Sequence, residues 1–543
     1  MNTLFSGQMQ WTYRPLPLPT ERMTKTLRAL SALCLATLGL IVSGCGSTTG
    51  SGSDPASVVP ESSYVYAEAT IDPSGSQEAA MRSILGDLPG TGTPQDKLEN
   101  LIRKAAASDK TNKLDWDKDV KPWLGDKVAG FVARGAGSFA KGEVPAAVLV
   151  ATTDEGAARD ALEKAKDSTA AHKRYRDVEY IVESDHGDLT AEGVLDGFVV
   201  LGSDAGMKAA IDASKDSTLS DSDKFKEAVK DVPEERVGFM YADVAGLIQL
   251  ASQATGNQFP GSALLGPLLA GKPLVIVARA ENQALVFEGK SLPSGGLVKS
   301  GGDTSSLIAQ MPEGSWAALA LPGFGDGLRT LVTGIGSALG GEEQLNDQLR
   351  SATGLDLERD LLSWIGDVGV FADGDTKDTI GGGVLIKSKD PEASKRALTK
   401  IAAAIQKSDP SVQVAAARIP GAFGYQFSDP SQAPRGIFMA QAGDKVAITY
   451  GEDEAKAALG DGGLSESNDF TRAAEGLGDG YQPGLYVSVP SILRVAEAFG
   501  ASSDKDYTEA KPYLTILDYL IAGSAQSGND SNSRFRIGFK PHE

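Results

Sequence analysis

Acidic residues at alternate positions are the feature of this sequence that most looks like chemistry. Asp115, Asp117 and Asp119, followed by Asp126, have the spacing of oxygen ligands in a calcium loop, and Asp356, Glu358, Asp360 and Asp367 repeat it. Such a loop needs glycine at its sixth position to turn sharply; Val120 and Leu361 stand there instead. Trp116, Val120, Trp123 and Leu124 fall at i, i+4, i+7 and i+8, and Leu357, Leu361, Trp364 and Ile365 do the same. That stripe predicts an amphipathic helix. Asp115 and Asp356 are then expected to cap its start, where the helix dipole favours acids. Gly125 and Gly366 are expected to end it in a left-handed conformation, Pro122 to cut its last turn short, and Trp123 and Trp364 to fill a sheet–helix interface. The signature closes on Asp126 and Asp367. No metal site is assigned.

Other chemical motifs dissolve on inspection. Gly334–Gly340 is glycine-rich, but Leu328–Val332 before it reads as helix, whereas a nucleotide-binding loop follows a strand; a flexible connection is expected. Ser502-Ser503-Asp504-Lys505 has a Ser-x-x-Lys spacing without its accompanying elements, and reads as a solvated loop. No Gly-x-Ser-x-Gly elbow occurs, and the histidines are only His172, His186 and His542. No catalytic or cofactor-binding residue is assigned, and no cofactor is expected.

The N-terminal region has the parts of an export signal. Lys25 and Arg28 precede the apolar run Ala29–Ile41, which is shorter than the roughly 20 residues a membrane-spanning helix needs. Val42-Ser43-Gly44-Cys45 resembles a bacterial lipobox, which implies cleavage after residue 44 and acylation of Cys45. Residues 1–44 are thus expected to be a signal peptide, with Met23 as an alternative start. Residues 45–54, rich in Gly and Ser, form a flexible tether. The protein is expected on the extracytoplasmic face of the cell membrane, held there by lipid.

The chain of 543 residues has a net charge of −20 and two cysteines. The charge excludes a nucleic-acid partner. Cys34 leaves with the signal and Cys45 takes lipid, so no disulfide remains and the body must rely on its cores, for which it is long enough.

Those cores are predicted to be two, because the sequence repeats. Pro60-Glu61 with Tyr64 matches Pro312-Glu313 with Trp316, and Leu114–Asp126 matches Leu355–Asp367. Val148–Val150 matches Val384–Ile386, Leu219-Ser220 with Phe225 matches Leu464-Ser465 with Phe470, and Gly238–Tyr241 matches Gly484–Val487. The order is kept throughout. Two homologous repeats are expected, 55–302 and 303–543, joined near Ser294–Ser306. Alternation predicts strands at Tyr64–Ile71, Val128–Ala133, Ala147–Thr152, Val178–Val182, Phe198–Gly202 and Val237–Ala242, and a hairpin from Leu274 to Lys290. Helices are predicted at Gln95–Ala107, Glu155–Asp167, Ala205–Ser214 and Val244–Ala254, with an Asp390-Pro391 cap in the second repeat. The fold class is α+β, each half a largely antiparallel sheet with packed helices.

The acidic start followed by Trp-Leu-Gly-Asp or Trp-Ile-Gly-Asp and an apolar strand, with the Pro60-Glu61 opening, resembles the family of bacterial, often actinobacterial, secreted proteins known as domain of unknown function 3352. The resemblance spans nearly the whole mature chain and implies an envelope address without an activity. The chemistry above points to a non-enzymatic binding or scaffolding protein whose partner is another envelope protein. The rival readings are a carrier of an apolar ligand, suggested by Phe259–Ala270 and Tyr513–Ile521, and an envelope hydrolase without a recognisable motif.

Overall fold

A computed structural model describes residues 54–541, apart from 89–113, 135–143, 248–272 and 291–302 and breaks of one to three residues elsewhere. Ten strands come from the first half: β1 (Ser63–Thr70), β2 (Leu124–Ala133), β3 (Ala146–Thr152), β4 (Ala171–Tyr175), β5 (Val178–Asp185), β6 (Asp188–Leu195), β7 (Phe198–Ser203), β8 (Gly238–Ala242), β9 (Leu274–Glu281) and β10 (Ala284–Lys290). Ten come from the second: β11 (Ala317–Leu321), β12 (Ile365–Asp373), β13 (Gly381–Ser388), β14 (Gln413–Ala416), β15 (Phe423–Asp429), β16 (Ala433–Ala442), β17 (Lys445–Tyr450), β18 (Gln482–Ser488), β19 (Leu517–Ser527) and β20 (Asp530–Phe539).

The sequence predicts a sheet in each half; the strands instead join in one 20-stranded antiparallel sheet. From one edge to the middle the order is β4-β5-β6-β7-β3-β2-β1-β8-β9-β10. From the other edge it is β14-β15-β16-β17-β13-β12-β11-β18-β19-β20. The two series meet where β10 pairs β20, from Ala284 opposite Gly538 to Lys290 opposite Asn532. Across that seam Phe287 opposes Phe535 with ring centroids 6.0 Å apart, and Arg534 and Arg536 pair with Glu288 and Glu281.

Alternation along the strands serves two faces, and helices cover both. On one, the helix α1 (Asp204–Lys215) buries Met207, Ala210 and Ile211 against Leu149, Phe198 and Val200. On the other, α2 (Glu155–Ala165) buries Ala158, Ala161 and Leu162 against Val199 and Trp123. In the second half α3 (Pro391–Ser408) takes the latter role, with Ala393, Ala397 and Leu398 packed on Trp364, Val368 and Ile386. Burying each large side chain contributes about 1.5–3 kcal/mol, so these layers hold the chain together. Both α2 and α3 start where the sequence says they should. Asp154 accepts from Gly156 and Ala157 N–H, Asp390 accepts from Glu392 and Ala393 N–H, and Pro391 opens α3, where no N–H is required.

The predicted strands are present within a few residues of their ends. Short β4 and β6 are additional; β6 alternates Leu189, Ala191, Gly193 and Leu195 with Asp188, Thr190 and Glu192, but its Ala and Gly are weak strand formers. The hairpin at residues 274–290 is β9–β10, with Gln283 at φ 55° in its turn. Residues 334–338, expected as a flexible connection, continue the helix Phe324–Ala338 instead. The predicted helix Gln95–Ala107 and the apolar stretch Phe259–Ala270 lie outside the described residues, as do residues 248–254 of the predicted helix Val244–Ala254.

Candidate functional site

The acidic signature, present twice in the sequence, folds both times into the same small structure, and it is shorter than the sequence suggests. Trp116–Val120 and Leu357–Leu362 form a single wide turn each, closed by Lys121 N–H to Trp116 O and by Ser363 N–H to Glu358 O, both 2.8 Å. The apolar stripe therefore does not continue as a helix into Trp123 and Trp364. In the first copy Pro122, which has no N–H, follows directly.

Two carboxylates hold each turn reciprocally. Asp115 Oδ1 accepts from Lys118 N–H (3.1 Å), and Asp119 Oδ2 accepts from Asp115 N–H (2.7 Å). In the second copy Asp356 accepts from Arg359 N–H and Asp360 from Asp356 N–H, both at 2.9 Å. A lysine from the overlying helix then reaches the inner acid: Lys164 of α2 to Asp119, and Lys400 of α3 to Asp360 at 2.7 Å. Arg350 and Asn346 add donors to Asp356. The Arg359 N–H and then Arg350 bring the Asp356 carboxyl down to about 2. Burial pushes Asp360 up, but Arg359, Lys400 and the Asp356 N–H outweigh it and hold the group well below the usual carboxylate range. Lys164 and then the Asp115 N–H lower Asp119 in the same direction.

The tryptophans do what their spacing implied. Trp123 and Trp364 are 7% and 3% exposed, each packed beneath its helix. Each indole N–H also donates to the carbonyl of the inner acid, Trp123 to Asp119 at 2.6 Å and Trp364 to Asp360 at 3.2 Å.

The glycines do not. Gly125 and Gly366 lie within β2 and β12, outside the left-handed region, so they are not helix terminators. What excludes a side chain is the neighbouring strand. A Cβ on Gly125 would sit 2.8 Å from the Ala151 backbone, and one on Gly366 would sit 2.4 Å from Lys387 O. Both occur at a bulge, where two strands come close. The closing acids tie the strand to the connection after β1 or β11. Asp126 does so through its own carbonyl, which accepts from Ile71 N–H, and Asp367 through its carboxylate, which accepts from Gly323 N–H at 2.7 Å.

Among the described residues no group of three or more His, Cys, Asp or Glu side chains is placed to hold a metal. His172 lies on edge strand β4, its ring 3.5 Å from Glu163 and 3.3 Å from Lys166 Nζ. Cys45, His186 and His542 lie outside the described residues. Ser502 belongs to a turn, after which Asp504 caps the helix Lys505–Leu514.

A feature that motif reading missed is a cavity of about 230 Å³ in the first half. It opens between β1, β2 and β8 and the helix α4 (Asp223–Val229), beside Asp54. Phe225, Val229, Val232 and Phe239 form its apolar wall; Asp54, Glu68, Lys127 and Arg236 are its polar groups. Behind it, fully buried Tyr66 donates to Glu68 Oε2 at 2.7 Å, while Arg236 donates to Glu68 Oε1 at 2.8 Å. A signal was available in the two halves set side by side: β11 has Ala318 and Ala320 where β1 has Tyr66 and Glu68.

Fold and site together define an α+β protein built on one extended antiparallel sheet, whose repeated signature is bound up in its own architecture. The chain belongs to the family described as protein of unknown function, DUF3352, whose profile matches residues 27–539. No curated protein matches it. Solved structures of TP0453 in crystal forms IV, I and III align with TM-scores of 0.22, 0.22 and 0.23 at 11%, 12% and 12% identity. They cover 44%, 45% and 45% of this chain and 81%, 81% and 82% of theirs. An overlap that low carries no argument about fold or role.

Proposed function

We propose that this protein is an extracytoplasmic lipoprotein, anchored through Cys45, whose body is a non-enzymatic binding or scaffolding platform derived from a duplicated α+β unit. One observation carries the non-catalytic part. In both copies the inner and capping acids of the most chemical-looking motif make hydrogen bonds and ion pairs with their own turn and helix, so they serve the scaffold. The anchor rests on the lipobox at Val42–Cys45, and no described helix is long and apolar enough to cross a membrane. Duplication is supported by the recurrence of one strand order on either side of the β10–β20 seam, and by side-chain pairs that recur with it. Phe225 meets Tyr241 edge-on at 5.2 Å, and Phe470 meets Tyr486 edge-on at 5.3 Å. That geometry aligns Tyr241 with Tyr486, one residue from the match the sequence alone suggests.

The test is expression in a bacterial host of the native chain and of Cys45→Ser. The native protein is expected in the membrane fraction with two or more acyl chains on Cys45 by mass spectrometry, and Cys45→Ser is expected to lose both. An unmodified cysteine in the native protein would overturn the anchor. Stable cross-linked partners in cells would support the platform reading, while turnover of an envelope substrate by the purified chain would replace it with the hydrolase.

A further inference from the structure

We propose that the cavity under α4 is a binding site for a small amphiphilic anion, a carboxylate or phosphate headgroup carrying an apolar chain. The proposal rests on the platform reading and gives it a ligand class.

Each carboxylate oxygen of the cavity already accepts one hydrogen bond, whereas one of its two cations, Lys127, is without an ion pair among the described residues. Glu68 takes Tyr66 and Arg236 on its two oxygens, and Asp54 takes Ala56 N–H on one and Ser220 Oγ–H on the other. Arg236 uses its Nη atoms on Glu68 and Pro233 O, leaving its Nε–H without a partner among the described residues. Lys127 makes no ion pair among them either. The cavity's two acids and two cations balance in charge, and the unpaired one, Lys127, is the group an anion would satisfy. Phe225, Val229, Val232 and Phe239 line its apolar side, with the Arg236 guanidinium 5.0 Å over the Phe239 ring. The volume of about 230 Å³ lies below the roughly 300–1,000 Å³ of drug-sized sites, so it suits a small molecule or the end of a longer one.

Comparison of the halves separates this chemistry from the scaffold. The Phe–Tyr pair under the cavity is present in both, yet the groups that make it polar are not. Ala318 and Ala320 replace Tyr66 and Glu68 and are themselves buried. Tyr519 and Leu477 join Phe470 and Tyr486 in the second half's core. Lys127 arises from a difference in backbone. The bulge in β2 leaves three residues between Leu124 and Val128, while that in β12 leaves two between Ile365 and Val368. The longer bulge sets Lys127 opposite Thr70 at the cavity.

Two probes distinguish a free metabolite from a membrane lipid: octanoate and hexyl phosphate in solution, and phosphatidylcholine vesicles with or without phosphatidylglycerol. Titration uses the whole chain from Gly46 onward, its acyl anchor omitted. Saturable binding of a soluble probe is expected, weakened about 10- to 100-fold by Lys127→Met, which removes a charged hydrogen bond but leaves Arg236 on Glu68. Val232→Trp, which fills the cavity, is expected to abolish it, with thermal unfolding monitored for both variants. Binding confined to phosphatidylglycerol vesicles, and sensitive to both substitutions, assigns the site to a lipid end. No binding in either format, or binding indifferent to both substitutions, overturns the site. The anchor and the platform are judged separately by Cys45→Ser and by cross-linking, so the cavity can fail alone.

Discussion

The two halves of this protein agree where they hold themselves together and disagree where one of them has an opening. Beneath α2 and α3 the same parts recur: capping acid, inner acid with lysine, buried indole and a glycine at a strand crossing. On the opposite face, β1 carries Tyr66 and Glu68 while β11 carries two alanines. A residue present in both halves is explained by what each half needs in order to fold. A charged residue present in one and absent from the other needs a different explanation, which makes the first half's cavity the better place to look for a ligand.

The comparison can be broken at several points. Trp364→Ala and Trp123→Ala are each expected to cost about 3–5 kcal/mol in urea unfolding, the slightly less buried Trp123 toward the lower figure. If only one of them destabilised the protein, the two turns would not be doing the same job. Gly366→Ala should cost about 1–3 kcal/mol, because its Cβ would run into a carbonyl oxygen, and Gly125→Ala, with its longer contact, should cost less. Removing a helix cap, Asp154→Ala or Asp390→Ala, is expected to cost about 1 kcal/mol in either half.

Acid should separate the halves more subtly. Asp356, Asp360 and Asp119 all have folded-state pKa values below that of an unfolded aspartate, about 3.9. The stability they contribute is therefore fully present above about pH 4 and is lost as the pH falls through their folded values. The second half holds two such groups in its turn and the first holds one. Asp356→Asn, which keeps the cap to Arg359, is expected to flatten the acid limb of the stability curve more than Asp119→Asn. Arg174→Ala at the outer edge strand, where both partners of the Glu179 pair are mostly exposed, should leave the midpoint unchanged.

Much of this was legible in residue order. Asp390-Pro391 announced a helix, and Trp123 and Trp364 announced their burial. The errors share a cause. Gly125 and Gly366 were read from their neighbours in sequence as helix terminators, although the atoms that exclude a side chain belong to Ala151 and Lys387 on the adjoining strands. Val120 and Leu361 ruled the acidic ladder out as a calcium loop, but spacing could not reveal that Lys164 and Lys400 arrive from about forty residues away to pair with it. The cavity stayed hidden because its lining is drawn from five separate segments, none of which forms a motif.

The seam between β10 and β20 has a consequence for how the molecule comes into being. A chain made N-terminus first delivers β10 long before β20, the last strand of the sheet. Until residues 530–539 emerge, the first half presents a hydrogen-bonding edge with Phe287 on it and no partner, the kind of edge that captures other chains. Contacts spanning about 250 residues are also slow to form. The final ten-residue strand therefore works as a closure, and a chain cut short by so little as that strand would carry an adhesive edge in place of a finished sheet.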